Sequence, residues 1–195
     1  QGLGTTRKGI TLEGAVASLA ALKANGILAH AYLIYGWPGQ DERDLVDSME
    51  IVRQLFAAGL VDSAFWHRFI LTRHSPIYAE WKAGLRPGLA VIEPDWTFGS
   101  NDLAFEGEDR FDRYGPTLDE ALGAWMEGEG RDRPVTAWFP FKAAKPSVSP
   151  DLVAALARRA ERAQSAPPAG CGRRAVWLGG RPIEEAGTGA YTRNG

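Results

Sequence analysis

Cysteine is nearly absent from this 195-residue chain, with Cys171 the only one. A single thiol forms no internal disulfide and supplies no Cys-rich zinc or iron–sulfur site. Such cysteine usage leads us to expect a cytoplasmic protein. Long hydrophobic runs are missing too, and nothing approaches the roughly 20 apolar residues that a membrane helix requires. Neither sign of charge is in surplus: 22 Lys and Arg stand against 24 Asp and Glu, a net of −2. Neither a basic nucleic-acid face nor an acidic interaction tail is indicated, so no nucleic-acid or membrane partner is expected. The opening Gln1-Gly2-Leu3-Gly4-Thr5-Thr6-Arg7-Lys8 lacks Met and has neither signal-peptide nor transit-peptide character, which leads us to expect a piece of a longer chain.

What is present is ordinary globular composition, 45% hydrophobic and 24% charged, which excludes disorder and low complexity. Thr11 can cap a helix from Leu12 to about Asn25, with Val16, Leu19 and Leu22 inward and Gly26 as the stop. Ile27 to Tyr35 (ILAHAYLIY) reads as a strand covered on both faces. The turn Gly36-Trp37-Pro38-Gly39-Gln40 leads into a helix from about Asp41, with Leu45, Met49, Val52 and Phe56 as its buried stripe and Gly59 as its end. Ser63 to Leu71 is a second strand. Helix, strand, helix, strand with short connections predicts a parallel α/β arrangement.

The rhythm changes after that. Tyr78–Trp81 predicts a helical turn, and Ala83–Glu108, with Gly84, Pro87, Gly88, Pro94 and Gly99, reads as a long ordered loop anchored by Trp81, Trp96, Phe98, Leu103 and Phe105. Thr117-Leu118-Asp119-Glu120 predicts a capping box opening a helix with Leu118, Ala121, Leu122, Trp125 and Met126 inward. Ser149-Pro150 opens another helix, with basic Arg158, Arg159 and Arg162 toward its end. Beyond it come a Pro/Gly/Ala linker (Ser165–Gly172), a short strand (Ala175–Leu178) and a frayed tail from Glu185.

Ligands in parallel α/β folds sit at the C-terminal ends of strands. Two places qualify. One is Leu33–Asp44, where Gly36 and Gly39 either admit a ligand close to the backbone or simply satisfy a tight turn. It is neither a P-loop nor a G-x-G-x-x-G dinucleotide turn. The other is Trp66-His67-Arg68-Phe69, continuing to Thr72-Arg73-His74-Ser75-Pro76. Strand alternation puts His67 with Phe65 and Phe69, and Trp66 with Arg68. His30 and Tyr32 on the earlier strand are candidate pocket-lining residues. A hydrogen-bonded structural histidine is the commoner outcome for any one of these, whereas polar residues on neighbouring strands together suggest a lined pocket. No H-x-H or HExxH spacing supports a metal site. Seven tryptophans suit core packing first.

The stretch from Lys8 to about Tyr78 resembles the second half of a radical S-adenosylmethionine (radical SAM) barrel. The strand followed by Tyr35-Gly36-Trp37-Pro38-Gly39-Gln40 and an acidic helix is similar to that family's fifth-strand element, written G-[LF]-P-G-[EQ]-T. The following strand and Thr72–Tyr78 resemble the sixth strand and its exit. Weaker similarity runs through Ser100–Phe105 and the Trp125-Met126 helix to Val176–Gly180. The wording is closest to members with a cobalamin-binding domain ahead of the barrel, and cobalamin is a candidate cofactor on that similarity alone. The resemblance implies an α/β chain, part of a parallel (β/α) barrel with a helical C-terminal extension. It also implies a [4Fe-4S] cluster that donates an electron to S-adenosylmethionine, giving methionine and a 5′-deoxyadenosyl radical, with an unknown small-molecule substrate. Residues matching cofactor-facing positions are Ile34, Gly36, Trp66, His67 and Arg68. Gln40 stands where Glu is often found.

The C-x3-C-x2-C cluster motif is absent, and no cluster ligand is carried over. The missing N-terminal half of the barrel is therefore the expected partner, and this chain alone is expected to be inactive. On this reading residues 1–80 are the barrel units, 81–165 a loop and helical region, and 166–195 a linker, short strand and tail. Two rivals stand beside it. One is another parallel β/α-barrel enzyme using His67 and Arg68, though neither strand offers a lysine for Schiff-base chemistry. The other is a non-catalytic barrel remnant acting as an interaction module.

Overall fold

A computed structural model describes residues 10–93, 99 and 101–165. The chain divides into a unit ending at Ala163 and a second from Gln164. Among the described residues, the strands, and every helix but the tip of the last, belong to the first unit. The expected linker from Ala166, Cys171, the strand Ala175–Leu178, the tail, and the anchors Trp96 and Phe98 lie outside the described residues.

Helix α1 (Leu12–Ala24) begins where Thr11 accepts from the Gly14 N–H at 3.0 Å and buries Val16 and Ala20. Strand β1 (His30–Tyr35) comes next. Helix α2 (Glu42–Ala57) is opened by a reciprocal box. The Asp44 N–H donates to the Asp41 carboxylate at 2.7 Å, and the Asp41 N–H donates to Asp44 at 3.3 Å. Its stripe Leu45, Met49, Val52 and Phe56 is buried as expected. Strand β2 (Ser63–Arg68) pairs parallel with β1, His30 opposite Ser63 through Tyr35 opposite Arg68. The result is a β–α–β unit fastened at its start by Asp62, whose carboxylate accepts from the Ala29 N–H at 2.8 Å and whose own N–H donates to the Ala29 carbonyl at 3.0 Å.

Strand pairing then changes partner. After Phe69 and Ile70 the chain enters β3 (Leu71–Thr72), which belongs to an antiparallel sheet of order β3-β5-β4 with β4 (Val91–Ile92) and β5 (Asp102–Phe105). The second strand expected as far as Leu71 is thus two strands in two sheets. The region expected as a loop also holds β4 and β5, too short for a period-two pattern to declare itself. Helix α3 (Pro76–Lys82) starts at Ser75 with Pro76 in its first turn. Phe69, Leu71, Tyr78, Leu89, Leu103 and Phe105 form this sheet's own small core.

A 3-10 turn (Asp112–Tyr114) runs straight into α4 (Gly115–Met126). The capping box expected at Thr117 does not form. Pro116 sets the first turn, so the helix is already under way and Thr117 is buried within it. Leu118, Ala121, Leu122 and Trp125 are buried, while Met126, one step round the helix, is 41% exposed. Helix α4 packs on β2 and α2. Helix α5 (Leu152–Ser165) closes the described chain. The main core joins residues of α1, α2, β2, α4 and α5. The fold is therefore mixed α/β. Among the described residues the sheets have two and three strands, and they do not close into a barrel.

Candidate functional site

The β1–β2 pair has two unlike faces. One carries Ala31, Leu33 and Tyr35 from β1 with Ala64 and Trp66 from β2, packed into the main core. The other carries His30, Tyr32 and Ile34 beside Ser63, Phe65 and His67. This second face is open: Tyr32 is 73% exposed and Phe65 52%. The expectation that Ile27–Tyr35 is covered on both faces therefore fails. The strand begins at His30, and Leu28 before it is 79% exposed.

Side chains on the open face engage each other. The Tyr32 and His67 rings stack at 5.4 Å between centroids with planes 18° apart. Phe65 tilts against His67 at 4.5 Å, and His30 meets Tyr32 edge-on at 5.0 Å. His30 Nδ1 and the Ser63 hydroxyl share a hydrogen bond of 2.7 Å across the strands. Tyr32 reaches the ring of His67 because it is paired with Phe65, two residues before His67, so the contact is the diagonal one long side chains make.

The exit loop of β1 is built by its own residues. Trp37-Pro38-Gly39-Gln40 closes a turn in which the Gln40 N–H donates to the Trp37 carbonyl at 2.9 Å. Proline second and a positive-φ glycine third (Gly39, φ +84°) are the requirements of a type II turn. Gly36 also has a positive φ, +82°, and its N–H donates to the Gln40 side-chain oxygen at 2.6 Å. A β-carbon added at Gly36 would sit 3.7 Å from Arg68 Cγ, an ordinary contact. The need for glycine there is conformational, and its N–H is already engaged. Trp37 stacks on Phe69 at 4.4 Å, tying the loop to the end of β2.

At the strand ends, Arg68 donates twice to the Asp112 carboxylate (2.7 and 3.0 Å) and lies 3.8 Å from Glu108. It therefore holds the 108–112 segment against β2. Tyr35 presses on the start of α4, where a β-carbon on Gly115 would lie 2.8 Å from its hydroxyl oxygen. The Tyr35 phenol is held above its ordinary pKa, first by burial and then by the charges of Asp119 and Asp112, with Arg68 opposing.

The residues singled out from the sequence thus separate into three places. His30, Tyr32, Ile34 and His67 share the open face. Gly36 and Arg68 lie at the C-terminal ends of the strands, Gly36 in the exit loop and Arg68, on the side of Tyr35 and Trp66, in an ion pair. Trp66 lies on the opposite face, 5% exposed, its indole N–H without a hydrogen-bond partner among the described residues. Sequence reading misses the ring contacts of Phe65, although its place in the alternation with His67 is visible. It also misses the carboxylates that meet Arg68, which come from about 40 residues on. A buried network on α2 escapes it as well. Glu50 accepts from Arg53 Nε at 2.9 Å and from the Gln54 amide at 2.9 Å, and Gln54 in turn donates to the Ser149 carbonyl at 2.8 Å.

For an iron–sulfur cluster the donor set does not fit: the lone cysteine lies outside the described residues, and among them no group of three His, Cys, Asp or Glu side chains converges. No helix of the described residues is long and apolar enough to cross a membrane. The class defined by fold and site is thus an α/β protein with a parallel β–α–β unit and an open, ring-lined sheet face. No family model, curated protein or solved structure matches the chain.

Proposed function

We propose that this chain is the C-terminal part of a radical SAM enzyme acting on a small-molecule substrate. The observation that carries the reading is the β1–α2–β2 unit with its Gly36–Gln40 exit. A parallel pair leaving through a prebuilt Gly-x-Pro-Gly turn toward an acid-started helix is the arrangement the resemblance requires. In this reading β1 and β2 are two strands of a parallel barrel, and the open face is turned to its interior.

The division of labour then follows from the two faces. Ile34, His67 and the loop at Gly36 would contact the adenosyl part of S-adenosylmethionine, while His30 and Tyr32 would line the substrate side. Arg68, committed to Asp112 and Glu108, would keep the segment after β5 over the strand ends and so limit water. Trp66, on the core side, would hold β2 against α4. Cluster ligands, and any cobalamin domain, would come from outside this chain.

The coding DNA upstream of Gln1 tests the proposal. An in-frame strand followed by C-x3-C-x2-C, or a neighbouring gene encoding it, is the expected result. The completed protein, reconstituted with iron and sulfide, should then form 5′-deoxyadenosine from S-adenosylmethionine. A start codon directly before Gln1 with no partner gene bearing those cysteines overturns it and favours the interaction module, which the exposed Leu28, Tyr32 and Phe65 would suit.

A further inference from the structure

We infer that residues 142–148 are a strap that undocks from α2 as a local event, and that its docking holds the Asp112–Tyr114 turn, and with it the Asp112 carboxylate, against Arg68. The hold of the 106–112 segment on the end of β2 is thereby tied to a second surface segment. Neither part depends on the radical reading.

The strap is built to open by itself. Residues 142–148 form no helix or strand, and none of them is buried. Buried anchors lie on either side, Phe139 before and Val153 after. Gln54 fixes the later end, accepting from the Val153 N–H at 3.0 Å and donating to the Ser149 carbonyl at 2.8 Å. Between the anchors, two α2 carboxylates hold the backbone. Glu42 accepts from the Ala144 N–H at 3.0 Å. Asp47 accepts from the Ser147 N–H at 2.5 Å and from the Ser147 hydroxyl. Undocking buries nothing new and hands these groups to water, so it costs far less than unfolding.

The turn links the strap to the strand ends because its three residues reach three places. Asp112 receives Arg68. The Arg113 guanidinium lies 4.9 Å from the centre of the Tyr114 ring and 4.6 Å from that of Phe141, the residue before the strap, and it donates to the Tyr114 hydroxyl at 2.8 Å. Tyr114 is buried and meets Phe141 edge-on at 5.1 Å. Its phenol shares the Glu42 carboxylate with the Ala144 N–H of the strap. Glu42 and Phe141 therefore serve the turn and the strap together. The Arg68–Asp112 pair, with side chains 38% and 51% exposed, is of the kind that holds little on its own. It depends on the turn to present Asp112 in place, and the docked strap secures the turn.

The test is hydrogen exchange of the full chain, read by mass spectrometry. In the parent, residues 142–148 should exchange faster than α2 and β2. Asp47→Ala should speed the strap about tenfold, the worth of a hydrogen bond to a charged acceptor, and the 106–112 segment about threefold, with α2 and β2 unmoved. Ser147→Ala, which leaves α2 untouched, should act in the same direction more weakly. Arg68→Met should speed the 106–112 segment and, by reciprocity, the strap. With both Asp47→Ala and Arg68→Met in place, the 106–112 segment should exchange no faster than with Arg68→Met alone. A 106–112 segment unmoved by Asp47→Ala overturns the inference, as do effects that multiply in the double variant. A rise across α2 and β2 as well means general loosening, and a strap no faster than α2 in the parent opens only with the whole fold. Either result also overturns it.

Discussion

Removing the Glu50 carboxylate breaks a buried charge network from one side. Glu50 sits on α2 with its side chain 7% exposed and Arg53 14% exposed beside it. Glu50→Ala takes away the acceptor for Arg53 Nε (2.9 Å), Arg53 Nη2 (2.5 Å) and the Gln54 amide (2.9 Å). It leaves a guanidinium, still bound to the Arg131 carbonyl, inside the protein without its counter-charge. Breaking a buried pair from one side costs about 3–5 kcal/mol, because the surviving charge is neither solvated nor matched. Glu50→Gln keeps the shape and an acceptor and should cost about 1.5–3 kcal/mol. Urea unfolding should rank parent, Gln, Ala in falling midpoint with unchanged slope. Adding Arg53→Met to Glu50→Ala should recover part of the loss, since no orphan charge remains. The reasoning is refuted if Glu50→Ala stays within about 1 kcal/mol of the parent, the value of a solvated surface pair.

The other predictions concern the strand ends. Gly36→Ala should cost about 1–2 kcal/mol in stability through its left-handed backbone alone. The melting temperature should fall with no ligand present, and an unchanged one would mean the turn relaxes freely. Tyr35, with its phenol pushed up by burial and then by Asp119 and Asp112, should ionise late in an alkaline absorbance titration. Tyr35→Phe should therefore delete absorbance from the last phase, and loss from the first phase would contradict the raised value. A phenol whose folded pKa is raised favours the folded state below its unfolded value of about 10 only in relative terms: it costs stability once the unfolded chain can ionise and the folded one cannot. The parent should thus shed more stability than Tyr35→Phe as pH climbs from about 10 through the folded value.

Local chemistry is legible where a single residue decides. Thr11, Gly26, the acids at Asp41 and Asp44, and Gly59 mark helix ends, and the structure uses each of them so. The buried stripe of α2 is legible because successive turns repeat it. What fails is whatever depends on partners far along the chain. Ile27–Tyr35 is apolar almost throughout, the pattern of a strand buried on both faces, yet on the second face only Ile34, at its C-terminal end, packs against the small antiparallel-sheet core, and His30 and Tyr32 stay exposed. Ser63–Leu71 reads as one strand because composition does not change at Phe69. The break comes from β5, where Leu103 pairs with Leu71 and draws it and Thr72 into another sheet. At Thr117 a correct local motif loses to its neighbour, since Pro116 has already started the helix.

The candidate site shows the same division and gives it functional meaning. Strand parity is readable from the sequence, and it alone separates Trp66 from His67. What parity cannot say is which face the core will take. The helices decide that: α2 and α4 both pack against the side of Trp66, Leu33 and Tyr35. His67 and Tyr32 consequently contribute little to holding the fold, while Trp66 is embedded in it. Rings that are dispensable for folding and crowded onto one exposed sheet face work against solubility in a way a core residue does not. Their arrangement on a parallel pair, beside a turn fixed by its own glutamine, is what the proposed barrel reading would turn toward a ligand.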